Sequence, residues 1–229
     1  MPIKLADEFD AAGIVLAGGQ SSRMGRDKAL LPLAGRPLIA HAVATLRGAG
    51  LPVTIAGAGP EAESALAAYA PVVPDREPGL GPLSGICAAL AAASSSTAPP
   101  RYLVFLPVDL PLLPSSLISC LLHHAQITGS PVTIASINAI NQTFPAVLDR
   151  STFPALHAAL HSQKRGCLSA FQSAALTLGQ SIAAVPVELL VQSGQVTHPL
   201  ALPPLRWFLN VNTPQDLRRA ESLCPQPIA

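Results

Sequence analysis

The sequence predicts an α/β fold built on a mostly parallel, twisted sheet with helices on both faces. Over the first two-thirds of the 229 residues, short runs rich in Ile, Val and Leu alternate with segments whose apolar residues recur at helical spacing. Runs such as Arg101–Leu106 are apolar almost throughout, as expected of a strand covered on both faces. The 24 prolines fall mostly at predicted element ends, which suits a globular domain better than a linker.

The elements follow in order. Ala11–Ala17 is a buried strand ending at two glycines. Pro37–Arg47 is a helix, with proline in its first turn and Gly48 and Gly50 near its end. Pro52–Ala56 is a strand, Glu61–Tyr69 a short helix and Pro71–Pro74 an extended piece. Ser84–Ala93 is a helix that Ser84 is expected to cap. The tract at 94–100 is a loop, Arg101–Leu106 a strand and Ser115–Gln126 a helix; Pro131–Ile137 and Phe144–Leu148 are strands. The last third is less regular. Helices are expected over Thr152–His161 and Leu168–Ala175, a strand over Ala183–Val187, a proline-rich loop over Pro199–Pro204 and a final strand over Arg206–Val211. A helix from Pro214, capped by Thr213, closes the series. No internal repeat is present.

Composition excludes several classes. Hydrophobic residues make up 49% and charged residues 12%, too apolar for a disordered chain. A formal net charge of +1 supplies no bulk field for nucleic acid or an anionic membrane, so neither is an expected partner. The four cysteines are widely spaced and form neither a zinc motif nor a disulfide framework, which fits reduced thiols in the cytoplasm. The opening MPIKLADEFD has acids and no apolar core, so no secretory signal is expected, and no apolar run is long enough for a membrane helix. The expected organisation is one domain over 1–229, with a flexible segment at 1–10. Its nucleotide-binding half runs over about 11–130 and its acceptor-binding half over about 131–229.

In an open parallel sheet, ligands bind beyond the carboxyl ends of the strands. Chemistry is therefore expected in 17–28, 57–59, 75–85, 107–111 and 210–213. The first segment, in IVLAGGQSSRMGRDKALLPL, sets Gly18 and Gly19 before Arg23, Arg26 and Lys28. Glycines let the backbone turn and approach phosphate closely, and the cations add charge-assisted bonds. The spacing is not that of a P-loop, because Arg26 and Asp27 separate Gly25 from Lys28. Gly57-Ala-Gly-Pro-Glu-Ala62 matches a loose dinucleotide pattern with Asp75 and Glu77 about 20 positions on, but Pro60 removes an amide where a pyrophosphate needs one. A plain tight turn explains it better. Gly81, Pro82 and Leu83 lie in a stiff connection that opens a helix able to receive an anion or a sugar hydroxyl.

Asp109 ends an apolar strand between Pro107 and Pro111. An unpaired carboxylate there is costly to bury, and a divalent metal is its natural partner; capping of the next turn is the other reading. Asn210 and Asn212 alternate at the end of the last predicted strand and so share a face. The six histidines show no metal-ligand spacing. His157 and His161, four apart on a helix without an intervening acid, are read as surface residues. No nucleophile or general base stands out. That is the profile of a transferase that works by positioning and charge neutralisation.

The residues Leu16–Ile39 resemble the signature of nucleotidyltransferases related to the sugar-nucleotide pyrophosphorylases. GPLSG (Gly81–Gly85), PVDLP (Pro107–Pro111) and NVNTPQDL (Asn210–Leu217) resemble, within that superfamily, the molybdenum cofactor guanylyltransferases. The resemblance implies a Rossmann-like fold of the nucleotide-diphospho-sugar transferase type. It implies transfer of GMP from GTP to molybdenum-bearing molybdopterin with release of pyrophosphate. Leu16, Ala17, Gly18 and Gly19 would hold the nucleotide, with Asp75 in its pocket beside Gly81, Pro82 and Leu83. Arg23 and Lys28 would meet the phosphates, Asp109 would bind Mg²⁺, and Asn210 and Asn212 would face the acceptor and phosphate side. Implied partners are GTP and molybdopterin as substrates, with transient contact to molybdenum-insertion or acceptor proteins. Two departures stand out. Val108-Asp109-Leu110-Pro111 replaces the family's frequent Cys-Asp-Thr-Pro, and IAGAG (Ile55–Gly59) lacks an asparagine common after the second strand. That strand end helps choose the base. The paired glycines of LAGG lean toward guanylyl transfer. A cytidylyltransferase for the same cofactor, a sugar- or cobinamide-phosphate nucleotidyltransferase, and a non-catalytic nucleotide-binding relative remain open.

Overall fold

The computed structural model describes residues 10–18, 27–75, 77, 79–162 and 166–224. Gly19, Arg23 and nearly all of the expected flexible segment at 1–10 lie outside the described residues. The chain begins with β1 (Ala11–Leu16) and a short ribbon of β2 (Pro32–Leu33) and β3 (Arg36–Pro37). Helix α1 (Leu38–Gly48), β4 (Val53–Ala56), α2 (Pro60–Leu66) and β5 (Val72–Val73) follow, then α3 (Pro82–Ser94), β6 (Tyr102–Pro107) and α4 (Ser115–Thr128). The second part holds β7 (Val132–Ile137), β8 (Ile140–Asp149), α5 (Phe153–Leu160), α6 (Cys167–Thr177), β9 (Ala183–Pro186), α7 (Val187–Gln192), α8 (Pro204–Trp207) and α9 (Pro214–Glu221).

Seven strands form one sheet in the order β5-β4-β1-β6-β8-β7-β9, with only β8 antiparallel to its neighbours. The chain leaves β1 toward β4 and later returns to β6 on its other side. This makes the carboxyl ends of β1 and β6 a topological switch point, where such folds bind ligands.

Side-chain alternation explains the layers. Along β1, Val15 joins the core on one face while Ile14 and Leu16 join the core on the other; along β6, Val104 and Leu106 oppose Leu103 and Phe105. The first core is covered by α1, α2 and α4, with Val187 of α7, Trp207 of α8 and Ala220 of α9. The second is covered by α3, α5 and α6. The expected helices on both faces are present.

The structure differs from the sequence expectation in three places. Ser84 does not cap α3: Gly81, at φ 80°, is the cap residue, and Ser84 is the third residue of the helix. A positive φ suits glycine, so the chain turns at Gly81 and frees Ser84 for another partner. Arg206–Val211 is not a strand, because Pro204 starts the short helix α8 and a looser segment follows. The expected strand Phe144–Leu148 is longer, beginning at Ile140 after a two-residue hairpin turn whose Asn138 and Ala139 both have positive φ. The predicted cap of α9 is present as a full capping box between Thr213 and Asp216.

The end of the chain is tied down by polar bonds. His198 Nε2 lies 2.9 Å from the Leu112 carbonyl, while its Nδ1 accepts the Leu200 N–H at 3.0 Å. That pattern uses the neutral imidazole as Nε2–H donor and Nδ1 acceptor, and burial lowers the pKa accordingly. The ring stacks on Trp207, whose indole N–H donates to the Leu202 carbonyl. At the amino end of β6, Asp149 is pushed up by burial, but hydrogen bonds from Arg101 and Ser151 outweigh this and hold its carboxyl below the usual range.

Phe171 is fully buried and meets Phe144 edge-on with centroids 6.1 Å apart, joining α6 to β8. Phe171→Ala is expected to lower unfolding free energy by about 3–5 kcal/mol, read from the urea midpoint at unchanged slope.

Candidate functional site

The expected switch point carries a cleft of about 330 Å³. Its lining includes Leu16 and Gly18 after β1, Pro82 of α3, Asp109 after β6, and Phe208 and Asn210 from the tail. Backbone bonds hold these segments together. Val108 donates its N–H to the Leu16 carbonyl at 3.1 Å, and Val211 donates to the Asp109 carbonyl at 2.9 Å.

Lys28 joins three distant parts of the chain. Asp27 accepts the Ala29 N–H and starts a single 3₁₀ turn, Lys28–Leu30, which presents Lys28. Its Nζ lies 3.2 Å from Asp109 Oδ2 and donates to Asn212 Oδ1 at 2.6 Å. Asn212 is steadied in turn by the α9 cap, since Asp216 Oδ2 accepts the N–H of both Asn212 and Thr213. The other Asp109 oxygen, Oδ1, is buried and has no hydrogen-bond partner among the described residues. A carboxylate oxygen so placed is costly without a cation or donor, so it marks a position for one.

The glycine turns touch each other. A β-carbon on Gly18 would overlap the Gly57 carbonyl oxygen, and one on Gly85 would lie 3.1 Å from Gly57 Cα. Gly57 itself has φ 78°, a conformation that favours glycine. The loose dinucleotide pattern at 57–62 is therefore a tight turn packed between the end of β1 and the start of α3. Gly57 lies in the IAGAG stretch that lacks the asparagine; a β-carbon there would meet the Gly18 backbone at 3.3 Å, and the positive φ disfavours any side chain.

The predicted residues divide into groups. Leu16, Gly18, Pro82, Asp109 and Asn210 line the cleft, and Lys28 and Asn212 are bonded to each other beside Asp109. Ala17 uses its N–H within the sheet, donating to the Ala56 carbonyl. Leu83 is buried in the second core, so only its backbone can serve a ligand. Asp75 is not part of the cleft lining; its Oδ1 accepts the Ser84 hydroxyl and the Glu77 N–H, at 3.0 Å for the latter. Asn210 and Asn212 do reach the same region, but not from one strand face. Val211 lies buried between them, Asn210 meets the cleft and Asn212 meets Lys28.

Sequence reasoning missed Ile140, Asn141, Gln142, Thr143 and Phe144 of β8, and Phe208, all of which line the cleft. The available signal was a run of polar residues leading into an apolar strand. The histidine pair also gains a partner: Glu77 lies with His157 and His161 so that one ligand atom of each falls within 4.8 Å of the others. Cys87 is pushed up to about 12 by burial and by the nearby Glu77, Cys167 and Asp75 charges, so its thiol stays protonated.

A glycine turn, a lysine and a carboxylate gathered at the switch point of a mostly parallel sheet define a nucleotide-binding α/β transferase. The MobA-like NTP transferase domain matches residues 13–177, and the chain belongs to that family. A molybdenum cofactor guanylyltransferase of Rhizobium meliloti is 34% identical over 93% of this chain and 91% of its own length. One of Xanthomonas euvesicatoria pv. vesicatoria is 47% identical, but over 50% of this chain and 54% of that protein. In fold, the chain resembles molybdopterin-guanine dinucleotide biosynthesis protein A of Archaeoglobus fulgidus, with a TM-score of 0.72 at 23% identity over 93% and 98% of the two chains.

Gly18→Ala is expected to force the β1 and β4 ends apart. Overpacking of this kind costs about 1–3 kcal/mol, checked by chemical denaturation against the wild-type chain.

Proposed function

We propose that the chain transfers GMP from GTP to the terminal phosphate of molybdenum-bearing molybdopterin, releasing pyrophosphate, with Mg²⁺ held at Asp109. The observation that carries this reading is the Lys28–Asp109–Asn212 cluster beside a cleft whose described lining holds no histidine, cysteine or serine. Thr143 is the one hydroxyl in that described lining and no histidine stands beside it there as a base, so the attacking oxygen is assigned to the acceptor phosphate. The names carried by the relatives supply the nucleotide and the acceptor.

The donor set fits a hard divalent cation. The unpartnered Asp109 oxygen and the amide oxygen of Asn210, which also lines the cleft, are oxygen ligands of the kind Mg²⁺ takes alongside substrate phosphates. When bound, the cation supplies neutralisation of phosphate charge. The protein's own residues do the rest. Lys28, already fixed by two partners, places an ammonium beside the phosphates without further ordering. Gly18 lets the backbone lie against the nucleotide, and Arg23 adds a second cation on the phosphate side. Asp75, oriented by Ser84, together with Gly19 and the Gly81–Leu83 turn, forms the nucleoside end. Residues of about 11–130 form the nucleotide half of a single domain, and β8 with the tail forms the acceptor side. No helix among the described residues is long and apolar enough to cross a membrane. A cytoplasmic location is part of the proposal and rests on the four free cysteines.

The test is pyrophosphate release from each of the four NTPs, with purified protein, Mg²⁺ and molybdenum-bearing cofactor. GTP-selective, cofactor-dependent release is expected. CTP selectivity, or turnover with sugar phosphates instead of the cofactor, overturns the reading. Lys28→Ala and Asp109→Ala are each expected to lower kcat by about 10²–10³-fold with an unchanged circular dichroism spectrum. Full activity of Asp109→Ala removes the metal role.

A further inference from the structure

We propose that Glu77, His157 and His161 form a second metal site, for a borderline transition-metal ion of the Zn²⁺ class, which pins the loop before α3 to helix α5. The proposal goes beyond the transferase reading and does not depend on it. His157 lies within α5 and His161 follows it by one turn, so the two imidazoles sit on the same helix face with ring centroids 5.0 Å apart. Phe153, a turn earlier, meets the His157 ring edge-on at 5.7 Å and limits its freedom. The third group comes from a different element. Glu77 lies in the connection between β5 and α3, with Oε2 3.6 Å from His161 Nδ1. That is too long for a good hydrogen bond. It is close to the edge of a tetrahedron built on Zn–N and Zn–O bonds of about 2.0–2.1 Å, which is roughly 3.3 Å.

The chemistry of the three groups selects the ion. Two imidazoles and one carboxylate suit Zn²⁺, and also Co²⁺ or Ni²⁺, whereas Mg²⁺ takes oxygen ligands. The cluster is therefore chemically distinct from Asp109 and its asparagines. Its exposure leaves a fourth position to water. The site also has a structural consequence. The Glu77 backbone N–H donates to Asp75, which in turn accepts from Ser84 of α3. An ion on the Glu77 side chain would thus tie α5 to the loop that orients Asp75.

The experiment uses the full chain, stripped with chelator and exchanged into metal-free buffer, with no nucleotide present. Co²⁺ is titrated and its visible d–d absorption followed, then Zn²⁺ is added. One equivalent of Co²⁺ with four-coordinate absorption is expected, displaced by stoichiometric Zn²⁺ and not by millimolar Mg²⁺. The doubly substituted His157→Ala/His161→Ala chain should lose the absorption while keeping its circular dichroism spectrum. Glu77→Gln should weaken binding by more than about tenfold. Zn²⁺ should raise Tm in the wild type and not in the double variant. Absence of the Co²⁺ signal, equal binding by the double variant, or displacement by Mg²⁺ overturns the proposal. Because no GTP is turned over, failure here is separate from failure of the transferase reading.

Discussion

The burial of one oxygen of the Asp109 carboxylate sets the terms for the rest of the site. A charge at the edge of an apolar strand is tolerated only where neighbours compensate it. Lys28 does so for Oδ2, and it comes from the loop after β1 because β1 and β6 are parallel neighbours in the sheet. The tail does so indirectly: Val211 takes the Asp109 carbonyl and thereby sets Asn212 against Lys28. Three segments, separated by 81 and 184 residues from Lys28 to its two partners, are committed to one geometry. Moving any one of them leaves a charge or an amide without its partner.

A second constraint is the close approach of backbones at Gly18, Gly57 and Gly85. It draws the ends of β1 and β4 and the first turn of α3 into one packed turn cluster. A side chain there would hold these elements apart, and the cleft wall at Leu16, Gly18 and Pro82 would open. The consequence for selectivity is specific. Gly57 contributes no side chain to this cluster, and the nearby Asp75 carboxylate is oriented by Ser84 and the Glu77 amide; under the proposed function, base selection would rest on these groups.

Much of this was legible in the sequence, for a physical reason. Asp109 interrupts an apolar run at the end of β6, and Lys28 and Asn212 stand as polar residues beside short apolar runs; packing has no use for them, and the structure brings them together. The strand–helix alternation likewise reported the sheet and its two faces. Other features depended on distant pairing. Arg206–Val211 reads as a strand because a short apolar run carries no periodicity that separates strand from helix. Pro203 and Pro204, just before it, start a helix instead, and the Val211 amide donates to the Asp109 carbonyl. Ser84 reads as a cap, but the cap conformation needed glycine and fell on Gly81. The meeting of Glu77 with His157 and His161 has no local signal, since the acid and the histidines lie in separate elements.

The single antiparallel strand explains why the two sides of the cleft differ. A parallel strand at β8's position would end at the carboxyl edge and contribute only a loop. Because β8 runs the other way, it begins at that edge. Its register places Ala146 opposite Phe105, so Ile140 to Thr143 extend past the end of β6. That extension is not loose. Ile140 and Asn141 pair with Ile137 and Ser136 of β7, and Glu188 of α7 accepts the Asn138 N–H at the turn. The side that holds Gly18 is thus built from turns and a 3₁₀ segment, and the side facing it is a hydrogen-bonded strand. The reversal of β8 gives the cleft one wall whose position is set by ladder hydrogen bonds to β7 and β6.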